Sequence, residues 1–377
     1  MQFRDLQRQY QLQKPEIDAA MQQVAASSSF IMGPQVKALE SDLATYVGVK
    51  HCLTCANGTD ALTLALKAWG IGPGDAVFVP DFTFFSSAEV VALEGATPVF
   101  VDVKEETFNI DVNDLERAIS ATIAEGRLTP RVIITVDLFG LPADYTSIRR
   151  VADRYGLLVL EDGAQGFGGA FEGKRACSFG DISTTSFFPA KPLGCYGDGG
   201  AVFTDNDEWA ALIDSYRVHG KGTFKYDNVR IGMNSRLDTL QAAILQVKFR
   251  AFRDEELDAV NKVADMYDEQ LSSLSACLAV PVVPEGFLSS WAQYTIRLRN
   301  RETRDALQKY LKEHDIPSMV YYPKPMHLQT AFCHTVKEEM CPVATHLTDV
   351  VLSLPMHPYM HAEEVKAVCD AIRQFFD

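Results

Sequence analysis

Long hydrophobic runs are missing from this chain. No stretch approaches the roughly 18 apolar residues that a membrane-spanning helix needs, and the opening Met1-Gln2-Phe3-Arg4-Asp5-Leu6 has no apolar signal core. A cytoplasmic protein is the expectation. Cysteine is scarce as well: eight in 377 residues are too few for a disulfide scaffold. Cys52 and Cys55 make one Cys-x-x-Cys, but no second pair or nearby histidine pair completes a zinc set. Both fall in an apolar strand-like run, so buried thiols are expected. Positive charge is outnumbered, with 35 Lys and Arg against 50 Asp and Glu and a net charge of -15. That balance argues against a protein built to grip nucleic acid or an anionic membrane. A small phosphorylated ligand stays possible, because a local pocket of amides and arginines can oppose the global sign. Internal repeats and low-complexity segments are also lacking.

What is present is an ordinary globular composition, 47% hydrophobic and 23% charged, in a chain long enough for about two domains. Helical periodicity over 14–26 and again up to Tyr46 is followed by regular alternation. Strand-like runs at 51–55, 76–79, 98–101, 132–136 and 157–160 are separated by helical patterns at 59–69, 86–93, 112–119 and 145–155. Such α/β alternation implies right-handed crossovers and a mostly parallel sheet flanked by helices, with ligands at the carboxyl ends of the strands. After Ala201 the pattern changes. A helix over 207–218 leads to a long amphipathic segment, 236–274, without glycine or proline. Strands at 293–298 and 318–322 and helices at 303–314 and 363–376 then suggest a smaller α+β C-terminal domain. The expected division is a large domain over 1–250, with an N-terminal helical segment, and a small domain over 251–377.

Three stretches carry chemistry. Asn57-Gly58-Thr59-Asp60 closes a strand and opens a helix, where free amides and the helix dipole form an anion site; simple capping is the competing reading. Glu161-Asp162-Gly163-Ala164-Gln165 follows an apolar strand, and an aspartate at that sheet edge is costly unless paired. A protonated ring nitrogen is one partner that would suit Asp162, and capping of the next segment is again the alternative. Lys191, between Pro189 and Pro192 on a loop joining two strand-like runs, is well placed for imine chemistry, although a lone lysine is usually a solvated one. A phosphate loop, a strand-end aspartate and a loop lysine are together the parts that pyridoxal phosphate requires.

These motifs, with Ser186-Phe187-Phe188-Pro189-Ala190-Lys191 and Gly232-Met233-Asn234-Ser235-Arg236-Leu237-Asp238, resemble those of the DegT/StrS-type nucleotide-sugar aminotransferases over nearly the whole chain. The resemblance implies a fold-type I homodimer with shared active sites and pyridoxal 5'-phosphate as cofactor. It implies catalytic roles for Lys191, which would form the imine with the cofactor, and for Asp162, which would pair with the ring nitrogen. Gln165 would lie by the phenolic oxygen. Gly58, Thr59, Asp60 and Ser186 would hold the phosphate, with Asn234 reaching it from the other subunit, and Phe84 would stack on the ring, with Phe82 and Phe85 as its rivals. Retention of Lys191, where dehydratase relatives carry histidine, favours transamination. One departure is Asp137, at a position where many relatives carry histidine.

The motif run looks closest to enzymes that transfer the amino group of glutamate to C3 of a UDP-linked N-acetylated 3-keto-glucuronate, for surface polysaccharide such as O-antigen of lipopolysaccharide. Arg236 could bind the sugar carboxylate in a bidentate fork, or merely pair with Asp238 or cap the helix after it. Tyr321 and His327 are candidate contacts to the substrate. Arg217, His219 and Lys221 could meet its diphosphate, or form a plain basic surface loop. Amination of a 4-keto-6-deoxy nucleotide sugar is the alternative activity, and a pyridoxal phosphate-binding sensor without turnover the alternative class. No metal is expected.

Overall fold

The computed structural model describes every residue except 225 and 333–339. Helix α1 (Leu6–Ser27) starts where the Asp5 carboxylate accepts from the Arg8 amide at 2.8 Å. This cap begins the helix well before Lys14, and Pro15, expected at a first turn, lies inside it. Helix α2 (Pro34–Val47) does place a proline in its first turn, and it stops at Gly48 with φ 87.

The alternating region runs β1 (His51–Cys55), α3 (Gly58–Ala68), β2 (Asp75–Pro80), α4 (Ser86–Leu93), β3 (Thr97–Val101), α5 (Val112–Glu125), β4 (Thr129–Val136), α6 (Tyr145–Tyr155) and β5 (Leu158–Asp162). A short hairpin, β6 (Ala170–Phe171) and β7 (Lys174–Arg175), precedes β8 (Ile182–Ser186), β9 (Gly200–Thr204) and α7 (Asp207–Tyr216). Seven strands form one sheet in the order β1-β9-β8-β5-β4-β2-β3, parallel except that β9 runs against both β8 and β1. Its central strands are continuous apolar runs because both faces are covered. Ile134 and Leu160 pack with Leu62 and Leu66 of α3, whereas Ile133 and Val159 pack with Leu115 of α5 and Ile148 of α6. The expected parallel α/β sheet is therefore present.

The long amphipathic segment is helix α8 (Thr239–Ala251), a π-helical turn at Phe252–Glu256 and helix α9 (Leu257–Leu271). Beyond it come β10 (Leu278–Ala279), β11 (Phe287–Leu288), β12 (Tyr294–Leu298), α10 (Arg301–Glu313), α11 (Pro342–Val350), β13 (Val351–Leu354) and α12 (Ala362–Phe376). Strands β10, β12 and β13 make a second, antiparallel sheet, while β11 returns to pair with β6. The expected strand at 318–322 is only a single bridge, Met319 to Ser353. Pro317 and Pro323 bracket that stretch and cannot donate to a ladder. A sheet on either side of the 239–271 helical run is our reason for proposing a large domain, 1–250, and a small one, 251–377. Helix α1 stays with the first through Ile17, which packs on Ile244 and Val247. No described helix is long and apolar enough to cross a membrane.

Candidate active site

Four of the parallel strands end on one edge of the sheet, and the segment after each carries site residues: 57–60 after β1, 81–87 after β2, 162–165 at β5 and 186–194 after β8. Asp162 is the last residue of β5. It is buried, and its pKa is pushed up by that burial, against a hydrogen bond from Ser87 and the nearby positive charge of Lys191. Ser87 Oγ donates to Oδ2 at 2.8 Å and the Ala164 amide to Oδ1 at 3.2 Å. Lys191 is half-buried on the loop between β8 and β9. Burial pushes its amine below the ordinary lysine value; Asp162 opposes that shift and Arg4 adds to it. Its Nζ makes no hydrogen bond or ion pair to a described residue.

The helix opening at Gly58 is built as a cradle. A Cβ at Gly58 would stand 2.8 Å from the Ser186 Cβ, so only glycine lets β8 approach the first turn of α3 this closely. Asn57 caps that turn by accepting from the Asp60 amide at 2.8 Å. The Asp60 amide is thus already committed, and those of Gly58 and Thr59 remain as the free first-turn donors. Thr59 Oγ1 lies 2.8 Å from Ser86 Oγ, and Ser186 Oγ accepts from the Phe188 amide at 3.3 Å.

The three phenylalanines after β2 separate cleanly. Phe82 is buried, Phe85 packs on Phe332, and Phe84 is 53% exposed with its ring tilted against Tyr322 at 6.3 Å. Gln165 has both ends of its amide engaged: Oε1 accepts from the Phe139 amide at 2.7 Å and Nε2 donates to the Tyr322 hydroxyl at 2.9 Å. Tyr322 and Ser87, which fix Gln165 and Asp162, were not among the residues expected from sequence. The paired Ser86-Ser87 at the start of a helix, shortly after a strand end, was the available signal for one of them. Tyr321 is half-buried and packs edge-on against Phe3.

His327 departs from expectation. Its ring is fully buried, with Nδ1 2.5 Å from Asp81 Oδ2, and its amide donates to Asp81 Oδ1 at 2.7 Å. The residue clips the 320–329 segment to the start of the phenylalanine loop and presents no surface to a substrate. Asp81, His327 and Cys341 lie close together, but the direct Asp81–His327 hydrogen bond already accounts for that cluster. Arg217 is likewise structural: buried, it donates to Glu40 at 2.7 Å, Asp214 at 2.6 Å and the Thr54 carbonyl at 2.6 Å. His219 and Lys221 are exposed, beside a shallow depression of about 790 Å³ that Arg230 also lines.

Ser235 Oγ accepts from the Ala56 amide at 3.1 Å, which brings Asn234 and Arg236 to the rim of the α3 cradle. Asn234 is exposed, and no hydrogen bond joins its side chain to the site residues of its own chain. Arg236 is half-buried with a buried Nε that has no partner, and no described residue makes an ion pair with it, Asp238 included. Asp137 is buried beneath the site. It accepts from the Tyr145 hydroxyl at 2.7 Å and the Ala143 amide at 3.1 Å, and burial with the adjacent Glu161 pushes its pKa well up. Cys52 and Cys55 are buried free thiols, as expected.

Residues 11–373 match the DegT/DnrJ/EryC1/StrS aminotransferase family. The chain belongs to this family. It is 44% identical to the UDP-2-acetamido-2-deoxy-3-oxo-D-glucuronate aminotransferase of Pseudomonas aeruginosa over 99% of both chains. To the UDP-N-acetyl-3-dehydro-alpha-D-glucosamine 3-aminotransferase of Acidithiobacillus ferrooxidans it is 41% identical, covering 98% of this chain and 96% of that one. A crystal structure of a DegT DnrJ EryC1 StrS aminotransferase from Brucella abortus superposes with TM-score 0.96 at 49% identity, covering 100% of this chain and 99% of that one. The protein is thus an aminotransferase of the fold-type I architecture, with pyridoxal phosphate as cofactor. Its residues fit that group: a glycine cradle at a helix N-terminus, a buried carboxylate, an unpartnered amine and an exposed aromatic ring converge on one sheet edge.

Proposed function

We propose that this aminotransferase moves the amino group of glutamate onto C3 of a UDP-linked N-acetylated 3-keto-glucuronate, in the synthesis of a surface polysaccharide such as O-antigen. The observation that carries the sugar class is Arg236, a half-buried guanidinium at the cradle rim whose Nε has no protein partner. A buried donor of this kind calls for an acceptor, and a uronate carboxylate matches its fork. The similarity to the Pseudomonas aeruginosa and Acidithiobacillus ferrooxidans enzymes supports amination at C3. Tyr321, whose neighbour Tyr322 packs on Phe84, is a candidate contact to the sugar.

Pyridoxal phosphate, when bound, supplies the electron sink for the reaction. Around it, Asp162 keeps a proton on the ring nitrogen, and its buried setting makes that ion pair strong. Lys191 carries the cofactor between turnovers. Its free amine would be the general base and acid that takes and returns the proton of the amino acid's alpha carbon. Phe84 would pack on the cofactor's ring, and Gln165, held by Tyr322, would lie near its oxygen. The amides of Gly58 and Thr59 and the Ser186 hydroxyl hold the phosphate.

The enzyme works as a homodimer in this reading, with Asn234 completing the partner's phosphate site. Phe30, Ile31, Phe224, Tyr226 and Ile231 are all exposed, and Ile31 bridges to Asp238 beside Asn234. Apolar exposure of this kind beside a polar rim suits a subunit interface. The deciding experiment incubates glutamate-treated enzyme with a panel of nucleotide-linked keto sugars and follows the cofactor spectrum. Return of the aldehyde form with the keto-uronate alone supports the proposal. Equal return with a neutral 4-keto-6-deoxy sugar, with no change in Arg236→Ala, overturns it. A spectrum indifferent to glutamate would instead indicate a sensor without turnover.

A further inference from the structure

We propose that Arg4 is a positioning residue for Lys191: its guanidinium holds the backbone of the lysine loop and stands as a fixed positive charge behind the amine. The proposal rests on the reading of Lys191 as the cofactor lysine. Arg4 Nη2 donates to the Lys191 carbonyl at 3.0 Å and reaches the Pro192 carbonyl at 3.5 Å, across 187 and 188 residues of sequence. No other described side chain hydrogen-bonds the backbone of residues 190–193.

The guanidinium is itself anchored. The carbonyl of Phe3 accepts from the Met356 amide at 3.1 Å, and Asp5 caps α1 through the Arg8 amide at 2.8 Å. Arg8 in turn donates to the Tyr359 carbonyl at 2.5 Å and to Glu364 at 3.0 Å. Residues 3–8 are therefore clipped to 356–364, and Arg4 projects from this clip onto the lysine loop. Behind it lies a cluster of ionisable groups. Glu256 of the π-helical turn accepts from Gln13 at 2.9 Å and from the Tyr359 hydroxyl, and its negative charge supports Arg4. Lys248 of α8 is almost fully buried over the Tyr196 ring, and burial lowers its pKa to about 8. His357 is pushed down to about 4, by burial first and Arg4 second. Cys195 of the lysine loop is held up at about 11 by burial. On its other side Lys191 faces Asp162, which favours the charged amine.

Two opposed charges thus act on Lys191. Asp162 draws a proton onto the amine, and Arg4 repels one. A neutral amine is what nucleophilic attack and proton abstraction require at neutral pH. The same cation that fixes where the lysine sits therefore also biases its protonation state.

The test uses the apo-protein, so its outcome is separate from turnover. Lysines are reductively methylated with 13C-formaldehyde, the Lys191 signal is assigned by its absence in Lys191→Ala, and its chemical shift is followed against pH. Arg4→Gln is expected to raise the Lys191 midpoint by about one pH unit, and Arg4→Lys to keep most of the wild-type midpoint. Should Arg4→Gln not fold, Arg4→Met, which fills similar space without the charge, is expected to give the same rise. An unchanged midpoint in Arg4→Gln and Arg4→Met, or an equal rise in Arg4→Lys, overturns the proposal. The reading of Lys191 itself is checked apart from these, by borohydride reduction of the holoenzyme and mass mapping of the cofactor to Lys191. Loss of that label condemns the lysine assignment whatever Arg4 does.

Discussion

Replacing Ser87 by alanine tests how the buried acid of the site is maintained. Ser87 is fully buried, lies 3.2 Å from Thr83 Oγ1, and donates to Asp162 at 2.8 Å. A hydrogen bond to a buried charged group contributes about 1.5–3 kcal/mol. Its removal from the ionised form therefore corresponds to a pKa rise of about one to two units, at about 1.36 kcal/mol per unit. In the folded apo-protein the Asp162 pKa is already raised by burial. A group of that kind contributes most below its unfolded pKa and loses its contribution as pH rises through the folded value. Ser87→Ala pushes the folded value further up, so the apo variant should be less stable than wild type by about 1.5–3 kcal/mol at neutral pH, with a smaller gap near pH 4. Denaturant unfolding at several pH values measures this. A gap of the same size at pH 4 and pH 8 would mean that Ser87 only fills space, and the electrostatic account of Asp162 would be wrong. In the holoenzyme the bound ring cation offsets part of the loss, so kcat should fall by about tenfold rather than vanish.

Other substitutions probe separate parts of the molecule. Lys191→Ala should abolish turnover while leaving the fold intact; substantial residual transamination would refute the assignment of the lysine. Equal mixtures of Lys191→Ala and Asn234→Ala subunits should recover part of the activity that each lacks alone if sites are shared across a dimer, and none if each chain works by itself. His327→Ala strips a buried carboxylate of its partner and should cost about 3–5 kcal/mol in chemical unfolding, with Asp81→Asn/His327→Ala milder than the single change. Asp137, pushed well up by burial and by Glu161, loses its contribution as pH rises. Asp137→Asn supplies an amide donor in its place and should flatten the decline of Tm with rising pH; a parallel decline in both proteins would mean that Asp137 does not set it.

The sheet was legible because its strands are apolar on both faces and its helices carry side-chain caps such as Asn57 and Asp144. Asp162 could be picked out because it stands at a strand end where its carboxylate is costly unless paired, and Lys191 because the phosphate loop and that aspartate are the other parts a cofactor lysine requires. What sequence could not supply was the partner of each polar group. His327 and Arg217 read as candidate ligand contacts, yet Asp81 and Glu40, 246 and 177 residues away, bury them in pairs. Ser87 and Tyr322 were passed over for the same reason: a hydroxyl reveals its role only when the chain folds back on it. Among the three phenylalanines, periodicity gave no choice, and exposure alone singles out Phe84.

The clip between residues 3–8 and 356–364 has a consequence for biosynthesis. The arginine that steadies the lysine loop leaves the ribosome among the first residues, the loop it steadies about halfway through, and the segment that anchors it among the last. The large sheet can assemble while synthesis continues. The lysine loop, however, waits for residues 356–364 before its last contacts close. A polypeptide cut short before Tyr359 would therefore carry Lys191 on a loop without this clip.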